Sequence, residues 1–253
     1  MINIKADEIW AVIPARGGSK SIPYKNLVEL NGRPLISYAI ASAKATKGIT
    51  RIICSTEDER IAAYCRKQDI EVHPRPEYLA SDDTDVIDVL IYVLKDIEQN
   101  EGGIPDIIPI LQPTSPFLLP EHIDECITIL AANSEAQSSQ TISDIPHNHH
   151  AYNQRVIEDN WLNFSFPEKR KVFYNKQRKP KFYSYGNVFV TRSRTILEDH
   201  EIFGSKSLPV FIPYQYSLDL DGPDDLELAN WYIEKSIVSL PFLDNVNIGK
   251  DVC

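Results

Sequence analysis

Short apolar runs that alternate with amphipathic helical stripes constrain this chain more than any other feature. Such alternation signals β-α units wound about a mainly parallel sheet. Strand candidates are Ile9 to Pro14, Arg51 to Ser55 and Asp106 to Leu111. Between them, Pro34 can open a helix at its first position, with Leu35, Ala39 and Ala43 on one face. Val86, Leu90, Val93 and Ile97 form a second stripe, and Ile123, Ile127 and Leu130 a third. A last helix begins near Pro223 and carries Leu226, Ile233 and Ile237 on its buried side. The expectation is an α/β fold: a mainly parallel, doubly wound sheet in a single domain over residues 1–253. With 253 residues, 43% of them hydrophobic, the chain can bury a full core.

The rhythm fails over residues 144–182, which are rich in His, Asn, Pro, Tyr and Lys and read as an inserted β-rich or irregular subdomain. Strand character returns at Tyr185 to Thr191 and at Leu208 to Pro213. Lys169 to Lys181 carries seven basic residues and no acidic one, on a chain of net charge −10. That run is either a solvated face or a basic arm serving an anionic site, and the overall acidity argues against general nucleic-acid binding. The opening, MINIKADEIW, is charged too early for a signal peptide, and no stretch is long enough to span a bilayer. Cys54, Cys65, Cys126 and Cys253 show no C-x-x-C spacing and sit among core-like residues, as reduced packing cysteines of a cytoplasmic protein do.

Chemistry concentrates first in Ala11 to Asn26, AVIPARGGSKSIPYKN. A buried strand breaks into Ala15, Arg16, Gly17, Gly18, Ser19 and Lys20, with Lys25 and Asn26 after Pro23. Adjacent glycines let backbone N–H groups approach an anion, and three cations supply the charge. That suits a triphosphate. A Walker A loop is excluded, because Ser19 rather than Gly precedes Lys20 and Ala15 stands at the first glycine position. A nucleophile elbow would need glycine where Lys20 or Ser21 stands.

A second constellation is Ser217-Leu218-Asp219-Leu220-Asp221. On an extended backbone, residues i and i+2 face the same way, so Asp219 and Asp221 present two carboxylates together. A hard divalent cation relieves their repulsion, and Mg2+ with one or two carboxylates plus substrate phosphates suits such a pair. An exposed acidic loop is the alternative. Asp224 and Asp225 fit the first turn of the following helix. Gln112, Thr114 and Ser115 stand just past a strand, where polar residues face the crevice of a doubly wound sheet. Thr114 and Ser115 equally fit a capping turn before the helix at Pro120. Asp82 and Asp83 read as the start of a helix. His147, His149 and His150 lack the spacing of a zinc site and read as surface or interface histidines.

These blocks, with RPEYLASD (Arg75 to Asp82) and LQPTSPFL (Leu111 to Leu118), together resemble the CMP-sialic acid synthetases, the N-acylneuraminate cytidylyltransferases. Four ordered blocks cover more than 200 residues. The resemblance implies a Rossmann-like nucleotidyltransferase sheet that joins CTP to an acidic 2-keto-3-deoxy sugar, with Mg2+ held by Asp219 and Asp221. It implies catalytic roles for Arg16, Lys25 and Asp221, with one of Asp219 and Asp221, Asp221 by preference, accepting the sugar hydroxyl's proton directly or through bound water. Ala15, Gly17, Gly18, Ser19, Lys20, Asn26, Arg75, Ala80 and Ser81 would hold the nucleotide. Gln112, Thr114, Ser115, Tyr185, Gly186, Phe189 and Arg178 would meet the sugar. The 144–182 insertion would build a homodimer, or a dimer of dimers, and reach into the partner's site. Three departures stand out: Ser21 for the usual Gly, Tyr24 where Arg is frequent, and Tyr185 where the family has Asn. The last lies where the sugar is recognised, so legionaminic, pseudaminic and octulosonic acids are rival substrates. An octulosonic acid is disfavoured, because Ile22 to Asn26 replaces the R-L-P-G-K-P that follows the P-A-R block in those enzymes. A catalytically silent nucleotide-binding protein of the same fold is a further alternative.

Overall fold

The computed structural model describes residues 2–245. Seven strands form one sheet in the order β11-β7-β10-β6-β1-β4-β5. They are β1 (Ile4–Pro14), β4 (Arg51–Thr56), β5 (Glu71–Pro74), β6 (Ile104–Ile110), β7 (Ser138–Asp144), β10 (Tyr183–Arg192) and β11 (Ser207–Phe211). Only β10 runs antiparallel to its neighbours, while β1, β4, β5 and β6 run parallel, as do β7 and β11. The chain winds from β1 outward through β4 and β5, then returns to place β6 on the other side of β1. The order therefore reverses between the carboxyl ends of β1 and β6, where a parallel sheet opens a crevice.

Both faces of the sheet are covered by helices, as a parallel sheet requires. One face packs α1 (Ile36–Ala45), α2 (Glu59–Lys67) and α4 (Pro120–Ala131) on Ala11, Ile13, Cys54 and Val188. The other packs α3 (Val86–Glu101) and α6 (Ser193–Leu197) on Trp10, Val12, Ile108 and Phe189. The stripe of Leu90, Val93 and Ile97 is buried against this second face.

Several boundaries differ from the expectations. Pro34 lies in a small hairpin, β2 (Glu29–Leu30) with β3 (Arg33–Pro34), turning at Asn31 and Gly32, both with positive φ. The helix starts two residues later, at Ile36. α7 (Pro223–Glu234) ends before Ile237, because Ser236 takes a left-handed φ of 53° and the Ile237 N–H turns back to the Tyr232 carbonyl. The α3 N-cap is Asp85, whose side chain accepts the Ile87 N–H, so Asp82 and Asp83 lie outside the helix. β7, SSQTISD, is a strand that apolar patterning does not reveal. Its buried Ser138, Ser139, Thr141 and Ser143 each satisfy their hydroxyls, with Ser139 Oγ donating to the Cys126 carbonyl and Thr141 Oγ1 to Asn187 Oδ1.

Between Asp144 and Tyr183 the chain leaves the sheet. It forms β8 (Arg155–Glu158) and β9 (Trp161–Phe164), paired through a turn in which Asp159 and Asn160 both have positive φ, then α5 (Pro167–Val172). Tyr152, Phe166, Phe173, Phe182 and His150 form an aromatic cluster within this segment. Cys54, Cys65 and Cys126 are free and buried, and burial pushes the Cys126 thiol up to about 12. Cys253 lies outside the described residues. No described helix is long and apolar enough to cross a membrane. A short α8 (Phe242–Asn245) packs Phe242 on α1's side of the core.

Candidate active site

A cleft of about 250 Å3 opens at the carboxyl ends of β1, β5 and β6. Its walls come from the loop after β1 (Arg16, Gly18, Ser19, Lys25, Asn26), the segment after β5 (Arg75, Leu79, Ser81, Asp82, Thr84) and Gln112, Pro113 and Thr114 after β6, with Val86 and Val89 of α3. Three sequence blocks far apart in the chain thus meet at the point where the strand order reverses.

The loop after β1 is held from behind. The Ala15 N–H donates to the Ser55 carbonyl at 3.0 Å, and Asn26 Nδ2 donates to the Arg16 carbonyl at 2.8 Å. Ala15 and Asn26 are buried and shape the loop. The Gly17 N–H donates to Glu57 Oε1 at 2.6 Å, so this amide is engaged within the protein. A Cβ on Gly17 would strike the Asp58 carboxylate, and Asp58 cannot move freely because it caps α2 and pairs with Arg60. Arg60 in turn lies 3.7 Å above the exposed Tyr24 ring. Gly18 has open space around it and lines the cleft.

Arg75 is 7% exposed, and its Nη2 donates to the Ser55 carbonyl at 2.8 Å. Burial lowers the guanidinium's pKa, although it stays within the cleft wall. Arg16 Nη1 donates to the Ser81 carbonyl at 2.8 Å. Ala80 caps a short turn, Glu77–Leu79, without lining the cleft.

Lys25 ties the cleft to the acidic segment. Its Nζ donates to the carbonyls of Leu220 (2.9 Å) and Asp221 (3.2 Å). The Leu220 N–H donates to the Thr114 carbonyl at 2.8 Å, and Ser115 Oγ donates to Asp219 Oδ1 at 3.3 Å. Leu220 is fully buried while Asp219 and Asp221 are exposed, the alternation expected of extended backbone. Asp225 Oδ2 accepts the N–H groups of both Asp221 and Gly222, which fixes the segment at the start of α7. No set of three or more metal-ligating side chains is gathered among the described residues. Two solvent-facing carboxylates with no third protein ligand fit a Mg2+ ion that keeps waters and takes phosphate oxygens.

Tyr185 on β10 has a buried hydroxyl without a hydrogen-bond partner, and burial followed by Asp219 pushes its pKa up. A Cβ on the neighbouring Gly186 would strike Thr141 and Ile212. Phe189 is buried in the core with its ring 6.0 Å from that of Tyr185, and none of Tyr185, Gly186 and Phe189 lines the cleft. Arg178 is exposed over the Tyr174 ring and does not line its own chain's cleft. His150 is buried, stacked on Phe182, accepting the Tyr152 N–H at Nδ1 and facing the Pro180 carbonyl through Nε2. His147 and His149 are exposed.

Sequence reasoning took Asp82 only as a helix start, and it did not single out Glu57 or Asn187. Asp82 pairs with Arg16 and Lys20. Buried Asn187 Nδ2 is shared among the Phe117 and Tyr216 carbonyls and His122 Nδ1. A carboxylate nearest a cation loop in space, yet some sixty residues on in sequence, leaves no spacing signal.

The cytidylyltransferase family model matches residues 10–235. The chain belongs to the cytidylyltransferase family. The N-acylneuraminate cytidylyltransferase of Escherichia coli O18:K1:H7 is 29% identical over 226 residues, 88% of this chain and 51% of that protein. The chain thus spans about half the length of that relative. The CMP-N,N'-diacetyllegionaminic acid synthase of Legionella pneumophila is 28% identical, over 89% of this chain and 96% of that protein. In fold, the chain resembles a CMP:2-keto-3-deoxy-manno-octonic acid synthetase solved with CTP, at a TM-score of 0.68 and 16% identity. The match covers 90% of this chain and 99% of that one. This cytidylyltransferase-family chain therefore shares its sheet with nucleotidyltransferases of Rossmann-like fold.

Proposed function

We propose that this chain transfers the cytidylyl group of CTP to the anomeric hydroxyl of a nonulosonic, sialic-type acid, releasing pyrophosphate. The observation that carries this reading is the Lys25 ammonium, which lines the cleft and at the same time holds the backbone of the Asp219–Asp221 segment. One cation thereby joins the nucleotide side of the site to the carboxylate side.

The apolar walls from Leu79, Val86 and Val89 suit a planar base, and the desolvated Arg75 with Ser81 supplies polar groups at its edge. Arg16, Lys20 and the Gly18 amide face the phosphates. An ammonium has three donors, and two are engaged by carbonyls, which leaves one for an α-phosphate oxygen. Asp221 stands next to that donor and accepts the proton of the attacking hydroxyl, directly or through water. Asp219 and Asp221 would hold Mg2+, which when bound neutralises phosphate charge. Gln112 and Thr114 line the side left for the sugar, and Ser115, Tyr185 and Gly186 would act from behind that wall. Positioning and charge neutralisation carry most of the acceleration, since attack in line at phosphorus asks little covalent chemistry of a protein.

The inserted segment 144–182 supports a homodimer. Ile157, Trp161 and Leu162 are 72%, 73% and 67% exposed on a two-stranded hairpin that has little stability of its own in water. A second copy covering it would carry Arg178 and Lys179 toward the anionic substrates in the partner's site. The buried free thiols suit a reducing, cytoplasmic setting.

A panel of sialic, legionaminic, pseudaminic and octulosonic acids, each with CTP and with UTP, tests the reading by pyrophosphate release. The account expects release with CTP and at least one of the nine-carbon acids. Equal rates with UTP, or release with none of the acids, contradicts it.

A further inference from the structure

We infer that Asp82 is a counter-carboxylate that fills the triphosphate position of the cation loop and is displaced by the β- and γ-phosphates of the nucleotide. This rests on the cytidylyltransferase reading above and adds selection of a triphosphate over a monophosphate. Asp82 lines the same cleft as Arg16 and Lys25. Its two oxygens divide between two cations: Oδ1 lies 2.9 Å from Arg16 Nη2, and Oδ2 lies 2.6 Å from Lys20 Nζ. A phosphate offers a pair of oxygens to such donors in the same manner. The two cations that should meet the triphosphate thus already share one carboxylate of the protein, which offsets half of their charge.

Position makes the contact reversible. Asp82 lies three residues before the α3 cap and takes no part in starting the helix. Its side chain is 36% exposed and that of Lys20 is 85% exposed. Pairs of that kind are individually weak and yield to a group of several charges. Lys20, then Arg16, lowers the carboxyl's pKa, and the carboxylate is ionised at neutral pH. A monophosphate, held at Lys25, leaves the pair undisturbed. After transfer, Asp82 competes with pyrophosphate for the same two cations and so favours its departure.

Asp82→Asn keeps the shape and removes the charge. Calorimetric titration of CTP, pyrophosphate and CMP into both proteins tests the idea, with Asp82→Glu as the conservative variant and Asp82→Ser as a second neutral one. The expected result is CTP and pyrophosphate binding about three- to tenfold tighter in the neutral variants, the range that removing two exposed ion pairs allows. CMP should change by less than about twofold, and Asp82→Glu should bind as the natural protein does. Unchanged or weaker CTP binding in the neutral variants, with the natural protein binding normally, overturns this role for Asp82 alone. A natural protein that binds no CTP overturns both this role and the cytidylyltransferase reading.

Discussion

Lys25 is the residue on which most converges. Lys25→Ala removes two bonds to the Leu220 and Asp221 carbonyls and, on the proposed function, a donor to the α-phosphate. The loss of such a contact commonly costs on the order of 100-fold in rate or more. Lys20→Ala should cost less, because the Lys20 ammonium is solvent-exposed and screened. Steady-state kinetics of the two variants check the order, and a Lys25→Ala enzyme within a few-fold of the natural one contradicts it. His122 gives a residue-scale test of the core. Its Nδ1 accepts the Leu119 N–H and meets Asn187 Nδ2, and burial lowers its pKa to about 4. The unfolded chain takes up this proton near pH 6.5, so its contribution is full above 6.5 and is lost as pH falls toward 4, on the order of 3 kcal/mol. NMR titration should find the imidazole neutral at pH 5.5, and a midpoint near 6.5 would overturn the assignment.

At the scale of elements, the acidic segment and β10 carry the predictions. Asp219→Asn or Asp221→Asn should nearly abolish turnover without lowering the melting temperature, since each relieves repulsion between two exposed carboxylates. Near-normal activity of both, in EDTA, contradicts a metal role. Gly186→Ala should destabilise by about 1–3 kcal/mol, because its Cβ would strike Thr141 within a buried polar network. A melting temperature unchanged within a degree counts against that packing. The same elements show what the chain discloses on its own. β1, β4 and β6 are legible as apolar runs because they are buried on both faces. β7 is not, because its inward hydroxyls find partners on α4 and β10, information that periodicity does not carry. Lys25 and the D-x-D pair are legible as chemistry, whereas their joining through backbone carbonyls depends on a contact across 195 residues. Asp82 is misread as a helix start because Asp85, three residues on, is the cap.

At the scale of the molecule, the proposed homodimer would place the basic arm and the exposed hairpin across a two-fold axis, where each contact is made twice. The 144–182 boundary is legible as a break in rhythm, but its exposed Ile157, Trp161 and Leu162 are not, since a sequence does not say which apolar residues lack a cover. Mixing an Asp221→Asn subunit with one stripped of the charges from Lys169 to Lys181 should restore activity in the mixed dimer. A fully active monomer by light scattering would end the idea. The central claim is chemical, and 31P NMR of the complete reaction tests it most directly. With CTP, Mg2+ and a nonulosonic acid, the triphosphate resonances should be replaced by one sugar-linked phosphodiester and pyrophosphate in equal amounts, and nothing should change when the sugar is left out. Phosphate release that does not depend on the sugar, or no phosphodiester with any of the acids, would contradict the account.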